Sequence, residues 1–330
     1  MKKATAIFCV VLTMVVGILC CCGKTETEKT TIHLSLLKDI LSWDDGVIWN
    51  TEQDIFLLRK GETLENNIFQ DPFYEKEERE NISLQYIEKG QLYYIRTYEN
   101  RYYELCSMNL NTFEETILYA NCSKTERTYN YLGIHDEKFT TKDERVETIE
   151  GIIQQFCKIN DTIFMMDSHT LYERNQWTKY QKTIDDNLDS DTELIFTDSH
   201  IYYKNADKRF MEYDRDTGTK KCLTDWMVQK LCLCGKSLLL QRLNGELYRF
   251  CDRENMEKIS GLSGRLLQGD EKYIYCLEEN ASKLLVYDAE TLRPQKIIKG
   301  KNIWGAAVVG DKIYYLESKE DSLVLQKFPQ

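Results

Sequence analysis

Four histidines are present, His33, His135, His169 and His200, and none has a second histidine or a cysteine at metal-ligand spacing. His135 and His200 fall in strand-connecting turns, where a turn residue is expected rather than a ligand or a general base. Carboxylates come in pairs: Asp44-Asp45, Asp185-Asp186, Asp189 with Asp191, and Asp214 with Asp216. The run Asp186-Asn187-Leu188-Asp189-Ser190-Asp191-Thr192-Glu193 comes nearest to a calcium loop, which needs alternating oxygen donors closed by a glutamate. It lacks the central glycine, so a solvated acidic loop is expected and no metal is assigned. Paired carboxylates acting on a glycosidic bond would have to converge across space. The chain has no Gly-x-Ser-x-Gly elbow, no P-loop and no Gly-x-Gly-x-x-Gly. No catalytic residue and no cofactor is therefore assigned.

The five tryptophans, Trp43, Trp49, Trp177, Trp226 and Trp304, could serve as stacking platforms for a sugar. Aromatics on strands are expected in the core instead. Trp177 and Trp226 lie outside the aromatic strand positions and are the two candidates for ligand contact. The downstream cysteines, Cys106, Cys122, Cys157, Cys222, Cys232, Cys234, Cys251 and Cys276, sit mostly in expected strands, where a free thiol packs as a small apolar group.

The elements that must position these residues follow one recurring pattern. Gly310-Asp311-Lys312-Ile313-Tyr314-Tyr315-Leu316 has weaker copies in Gly90-Gln91-Leu92-Tyr93-Tyr94-Ile95 and Asp198-Ser199-His200-Ile201-Tyr202-Tyr203. Each reads as a tight turn followed by an apolar-aromatic strand, a hairpin signature. The first apolar residues after the turns are Ile48, Leu92, Ile163, Ile201, Leu238, Ile274 and Ile313. They recur at about 40 residues, the period of a propeller blade. The interval from Leu92 to Ile163 is nearly twice that.

After each aromatic strand a third strand ends in a turn led by Asp or Asn, at Asn109, Asp214 and Asp288, and a fourth strand follows. Asn244-Gly245 is a two-residue hairpin tip. The expected fold is therefore all-β, a β-propeller of four-stranded antiparallel blades. Seven blades are expected; the alternative is eight, with a reduced blade near 129–151. The last repeat lacks a fourth strand, and Thr31 to Leu37 is expected to supply it by pairing with Leu323 to Phe328, closing the ring.

The N-terminus specifies a location. Met1-Lys2-Lys3 and the apolar run Ala4 to Leu19 read as a secretory signal. Leu19-Cys20-Cys21-Cys22-Gly23 then resembles the lipobox of bacterial lipoproteins, which implies a lipid on Cys22, with Cys20 and Cys21 as alternatives. The implied divisions are a signal peptide at 1–21, the lipidated cysteine and a polar linker at 22–30, and one propeller domain at 31–330. An acyl chain holds a domain at the membrane surface, here the extracytoplasmic face of the cell membrane. The net charge of −11 disfavours nucleic acid and anionic lipid as partners.

With its Ile-Tyr-Tyr strands and Tyr-Asp-x-x-Thr turns, the chain resembles propellers of the YWTD and TolB-like superfamily. With the lipobox included, it resembles secreted propeller lipoproteins of Gram-positive anaerobes. The tryptophan of the YWTD motif is replaced here by Tyr203 or Tyr315. The resemblance implies a propeller fold and an envelope location, and fold alone does not choose a function. The expectation is a non-enzymatic module binding a protein, peptide or glycan at one propeller face. The alternatives are a hydrolase or lyase with carboxylates at the central channel, and a scaffold subunit of an envelope assembly.

The lipid assignment is checked by metabolic labelling with a clickable fatty acid. Wild type is expected to be labelled, and Cys22→Ala to be unlabelled and released or unprocessed. Unchanged labelling of Cys22→Ala would move the acceptor to Cys20 or Cys21.

Overall fold

The computed structural model describes residues 34–35, 40–43, 46–50, 54–60, 62, 66–68, 79–98, 103–121, 152–178, 180–235, 237–251, 255–270, 272–278, 282–300, 302–309, 312–319 and 322–328. All fall in the compact unit His33–Gln330. They form strands and turns and contain no helix. The lipobox with Cys22, and the segment 129–151 of the eight-blade alternative, lie outside the described residues.

Among the described residues the strands form six antiparallel sheets, one of which holds two consecutive meanders, so that seven meanders follow one another along the chain. The first comprises Ile40–Trp43, Gly46–Asn50, Ile55–Arg59 and Asn66–Asn67, and the second Arg79–Glu88, Gln91–Tyr98, Tyr103–Asn109 and Glu115–Ala120. The third comprises Gln155–Ile159, Thr162–Met166, Leu171–Asn175 and Gln181–Asp185. The fourth runs Ile195–Phe196, His200–Lys204 and Arg209–Asp214 into the long strand Thr219–Cys234. That strand pairs with the fourth meander through Thr219 to Met227, and with Ser237–Arg242 of the fifth through Val228 to Cys234. Leu247–Phe250 and Met256–Ile259 complete the fifth meander. The sixth comprises Arg265–Gly269, Tyr273–Leu277, Lys283–Asp288 and Pro294–Lys299, and the seventh Ile303–Val309, Lys312–Lys319 and Ser322–Phe328.

Local chemistry shapes the turns as the sequence pattern requires. Asp214 Oδ1 accepts from the backbone N–H of Asp216 and of Thr217, both at 3.0 Å. Asn109 does the same for Asn111 and Thr112, and Asp288 for Glu290 and Thr291. Each side chain thereby satisfies two N–H groups that a tight turn leaves without a strand partner. At Asn244-Gly245 the glycine adopts φ of 86°, a left-handed conformation in which a Cβ would be strained.

Both faces of each sheet are apolar, so the meanders bury themselves against one another. Ile48 and Leu57 of the first pack with Leu84, Leu92 and Met108 of the second. Ile95 and Leu105 of the second pack with Phe156 and Met165 of the third. Leu231 and Leu240 share a cluster with Tyr202 and Phe210, and Leu239 and Leu247 share one with Leu266 and Ile274. Leu284 and Val286 meet Ala306 and Ile313. Ala307, Val309 and Leu316 of the seventh meander then pack with Ile40, Val47 and Trp49 of the first.

Glutamine amides, buried at Gln85, Gln155 and Gln241 and half-buried at Gln268, join the backbones across these junctions. Gln85 Oε1 accepts from Phe156 N–H at 3.1 Å, and its Nε2 donates to Gln154 O at 3.3 Å. Gln155 accepts from Leu194 N–H at 2.9 Å and donates to Thr192 O at 2.5 Å. Gln241 accepts from Leu266 N–H at 2.9 Å and donates to Gly264 O at 3.1 Å, and Gln268 donates to Ala306 O. Each amide serves both a donor and an acceptor that the next meander's first strand would otherwise bury unpaired, or one of the two.

One expectation about the strands is corrected. Leu34–Ser35 does not pair with Leu323 to Phe328: Leu34 lies opposite Phe196 and Ser35 opposite Ile195. The first strand of the fourth meander is only two residues long, and its inner edge offers an open ladder to the N-terminal segment. Among the described residues, Ser322–Phe328 pairs with Lys312–Lys319 alone.

Replacing Gln241 with Ala strips partners from the buried Leu266 N–H and the half-buried Gly264 carbonyl and is expected to cost about 1–3 kcal/mol. The exposed Ile297→Ala should stay within about 0.5 kcal/mol of wild type. Denaturant midpoints decide it; equal midpoints for the two variants would mean that the amide does not hold the junction.

Candidate binding surfaces

In a meander the turns from first to second and third to fourth strand share one end. The turn from second to third strand and the crossover to the next meander share the other. The acidic segment 186–194, a crossover, thus lies at the same end as the turn 205–208, and the two are stitched together. Ala206 N–H donates to Asn187 O at 2.9 Å, and Asp189 N–H to Lys204 O at 3.0 Å.

This segment is not the solvated acidic loop its sequence suggests. Lys204, 2% exposed, donates to Asp191 Oδ1 at 2.5 Å and to Gln229 O at 3.2 Å, with Asp189 Oδ2 3.4 Å away. Lys208 Nζ lies 3.9 Å from Asp189, and Lys230 pairs with Glu193. Leu188 and Thr192 are fully buried. A buried ammonium requires anionic partners, and the alternating acids supply them. Burial raises the Asp191 pKa, and the hydrogen bond and charge of Lys204 outweigh it, holding the carboxyl below its ordinary value. Among the described residues no three His, Cys, Asp or Glu side chains form a group able to hold a metal.

The remaining candidates divide by environment. Asp185 accepts from Tyr203 Oη at 2.5 Å and lies 3.3 Å from Lys220. His200 Nδ1 lies 2.8 Å from Ser199 Oγ, and its Nε2 3.7 Å from Asp214 Oδ2. A serine–imidazole–carboxylate row serves nucleophilic catalysis, but the second distance exceeds a hydrogen bond. The ring stacks on Tyr202 and the backbone N–H donates to Thr197 Oγ1, so His200 closes its hairpin as expected. His169 is also a turn residue, with Nδ1 3.3 Å from Leu188 O. His33, His135 and Asp44-Asp45 lie outside the described residues.

A different constellation was not legible in the repeats. Arg96, with 0% exposure, donates to Glu104 at 2.5 Å and to both oxygens of Glu115 at 2.8 and 3.1 Å, while Tyr94 donates to Glu115 as well. A buried guanidinium held between two carboxylates in this way is a structural network.

Cys106, Cys157, Cys232, Cys234 and Cys276 are buried, while Cys222 and Cys251 are exposed. Burial pushes the Cys276 thiol up to about 12, and Cys157 higher still, which suppresses the reactive thiolate.

Trp49 is buried and stacked on Phe56, and Trp43 is half-buried beneath Arg59. The two tryptophans singled out by sequence sit at opposite ends of the meanders. Trp226 is in a strand after all, within Thr219–Cys234, where the chain crosses between the fourth and fifth meanders. Its ring lies 5.1 Å from Tyr248, with the Arg242 guanidinium 4.9 Å from its centroid. Val228 pairs with Arg242, which places Met227 and Leu243 one residue further out on each strand. Both are exposed, at 46% and 53%. Trp, Tyr, Arg and Met with little like charge are the side chains that dominate protein-binding hot spots. Sequence reading missed Arg242, Leu243 and Tyr248; the signal was an apolar leucine at the tip beside Asn244-Gly245. Trp177 lies on the third-to-fourth turn of the third meander, 72% exposed.

No protein-family model matches this sequence, and no curated protein does. Solved structures do match the fold. The β-propeller domain of Cps50 (Swd1) from Myceliophteria thermophila superposes with a TM-score of 0.54 at 9% identity, covering 90% of this chain and 97% of that one. YCF48 from Cyanidioschyzon merolae gives 0.51 at 10% identity, covering 90% and 98%. Hsv2 from Kluyvelomyces marxianus gives 0.50 at 8% identity, covering 86% and 89%. At such identities the likeness concerns the fold alone: the chain is an all-β protein of propeller architecture.

The Lys204 network has an acid-side signature. Asp191 has a depressed folded pKa, so its stabilisation is complete above the unfolded value of about 3.9 and is lost as pH falls through the folded pKa. Asp191→Asn is therefore expected to be less stable than wild type at pH 7, with the difference vanishing as pH drops below about 4. Denaturation across pH reads it; a gap that stays constant to the acid limit would show that the charge of Asp191 is immaterial.

Proposed function

We propose that this protein is an extracytoplasmic, lipid-anchored β-propeller of seven blades that binds a protein or peptide partner. The partner contacts the crossover end of the fourth and fifth blades. The observation that carries the reading is the Trp226–Arg242–Tyr248 stack flanked by exposed Met227 and Leu243. An aromatic and arginine centre, held rigid by its own packing, loses little entropy when a partner covers it. The packing of Ala307 and Leu316 on Ile40 and Trp49 supports a ring of seven. The location rests on the signal and lipobox residues 1–22, with Cys22 as acceptor.

The same end of the fold argues against the hydrolase or lyase alternative. Asp189, Asp191 and Glu193 are each matched by a lysine. Carboxylates neutralised in this way are poorly placed to exchange protons with a substrate.

The test is affinity capture from detergent-solubilised envelopes, read by mass spectrometry, with wild type and the double variant Met227→Asp/Leu243→Asp. Both substitutions are at exposed positions, and an unchanged melting temperature confirms folding. Wild type should capture one partner that the double variant loses by at least about tenfold. Retention by the variant would move the site elsewhere. Several proteins captured in fixed ratio by both would favour a scaffold subunit.

A further inference from the structure

At the opposite end from that patch, two hairpin tips of the third meander are latched together. Gln176 N–H donates to Asp161 O at 2.8 Å, and Trp177 Nε1 donates to Asp161 Oδ1 at 2.9 Å. Asn175 Oδ1 accepts from the backbone N–H of Trp177 at 3.0 Å and of Thr178 at 2.9 Å. The indole is thus fixed at both its backbone and its ring nitrogen, yet it is 72% exposed. Tyr180, 68% exposed, closes the same turn by accepting from Asn175 N–H at 2.9 Å through its carbonyl.

The ordering cost of the Trp177 indole is therefore met before a ligand arrives, with exposed Tyr180 three residues further along the same turn. Their neighbours decide what kind of ligand fits. Asn160, Asp161 and Thr178 on the two tips are all exposed and polar. A protein hot spot centres on a well-packed pocket that is fully desolvated, whereas both aromatics here stand open to solvent on hairpin turns with polar side chains beside them. A pyranose ring instead offers a flat apolar C–H face for an aromatic ring and a rim of hydroxyls for polar partners. Asp161 Oδ2 has no hydrogen-bond partner among the described residues and is free to accept from such a hydroxyl.

We propose that Trp177, with Tyr180 and Asp161, forms a carbohydrate-binding platform, distinct in place and ligand class from the Trp226 surface. The indole stacks on the sugar face, Asp161 orients the indole and accepts from a ring hydroxyl, and Tyr180 contacts an adjoining sugar unit. The site suits an exposed oligosaccharide chain that passes along the tip, since both aromatics stand open to solvent.

The test is calorimetric titration of the full chain with three probes, cellotetraose, maltotetraose and chitotetraose. At least one is expected to bind, and Trp177→Ala to weaken it about tenfold or more with an unchanged melting temperature. Asp161→Ala, which frees the indole, should weaken it less. The proposal is overturned if none of the three binds, or if binding is equal in wild type and Trp177→Ala. It is also overturned if Trp177→Ala loses a protein in envelope capture while sugar binding is unaffected. Because the Met227→Asp/Leu243→Asp variant leaves this tip intact, it should bind the sugar as wild type does, so the two surfaces stand or fall separately.

Discussion

The structure depends on junctions between neighbouring meanders, where apolar side chains interdigitate and, at four of them, a glutamine amide completes the hydrogen bonding. Each sheet has two apolar faces, and a four-stranded sheet alone in water could cover neither. Stacking solves that problem but brings the first strand of the next meander against a wall of side chains, with backbone groups pointing into the gap. Gln85, Gln155, Gln241 and Gln268 answer those groups with one amide each. A primary amide is well suited because it both donates and accepts, and it does so without the desolvation cost of a charge.

The fourth meander departs from this arrangement in an instructive way. Lys204 occupies the strand position that Gln241 holds in the fifth, and it likewise donates to the backbone of the next meander, at Gln229 O. An ammonium cannot accept, so the other needs of the junction are met differently, and the charge itself demands anions. Thr192 Oγ1 accepts from Lys204 N–H at 2.6 Å, and Asp189 and Asp191 converge on the lysine. A run of carboxylates that resembles a cation loop is thus explained by a cation the chain itself supplies. Its loss would leave buried charge uncompensated, which is more costly than the loss of a neutral amide.

Both proposed surfaces share a physical design. Trp226 is packed against both Arg242 and Tyr248, and Trp177 is tied to Asp161 and its own turn. In each case an aromatic ring that could have been mobile is held in one orientation by short-range contacts. The surroundings then differ: exposed methionine and leucine together with the Glu246 ion pairs to Arg242 and Lys258 beside the first, and polar hairpin tips alone beside the second. The meander topology places them at opposite ends of the sheets, so one chain has room to engage two ligands of different chemistry.

Features that neighbouring residues settle among themselves could be read directly from the order of the amino acids. Short apolar-aromatic runs set the strands, and Asn109, Asp214 and Asp288 set their turns through bonds to the second and third residue onward. The period of the hairpins followed from copying one such segment. Pairings between residues far apart in the chain were decided only by the tertiary structure. The partner of Leu34–Ser35 became Ile195–Phe196 because an inner strand of two residues leaves its ladder open. Asp189 and Asp191 became partners of Lys204 only once a crossover and a hairpin turn were folded to the same end of the sheet. Trp226 joined Arg242 and Tyr248 because the strand Thr219–Cys234 runs without a break from one meander to the next. Such contacts depend on how sheets stack, and stacking is governed by apolar surface that many sequences share, so no short motif announces them.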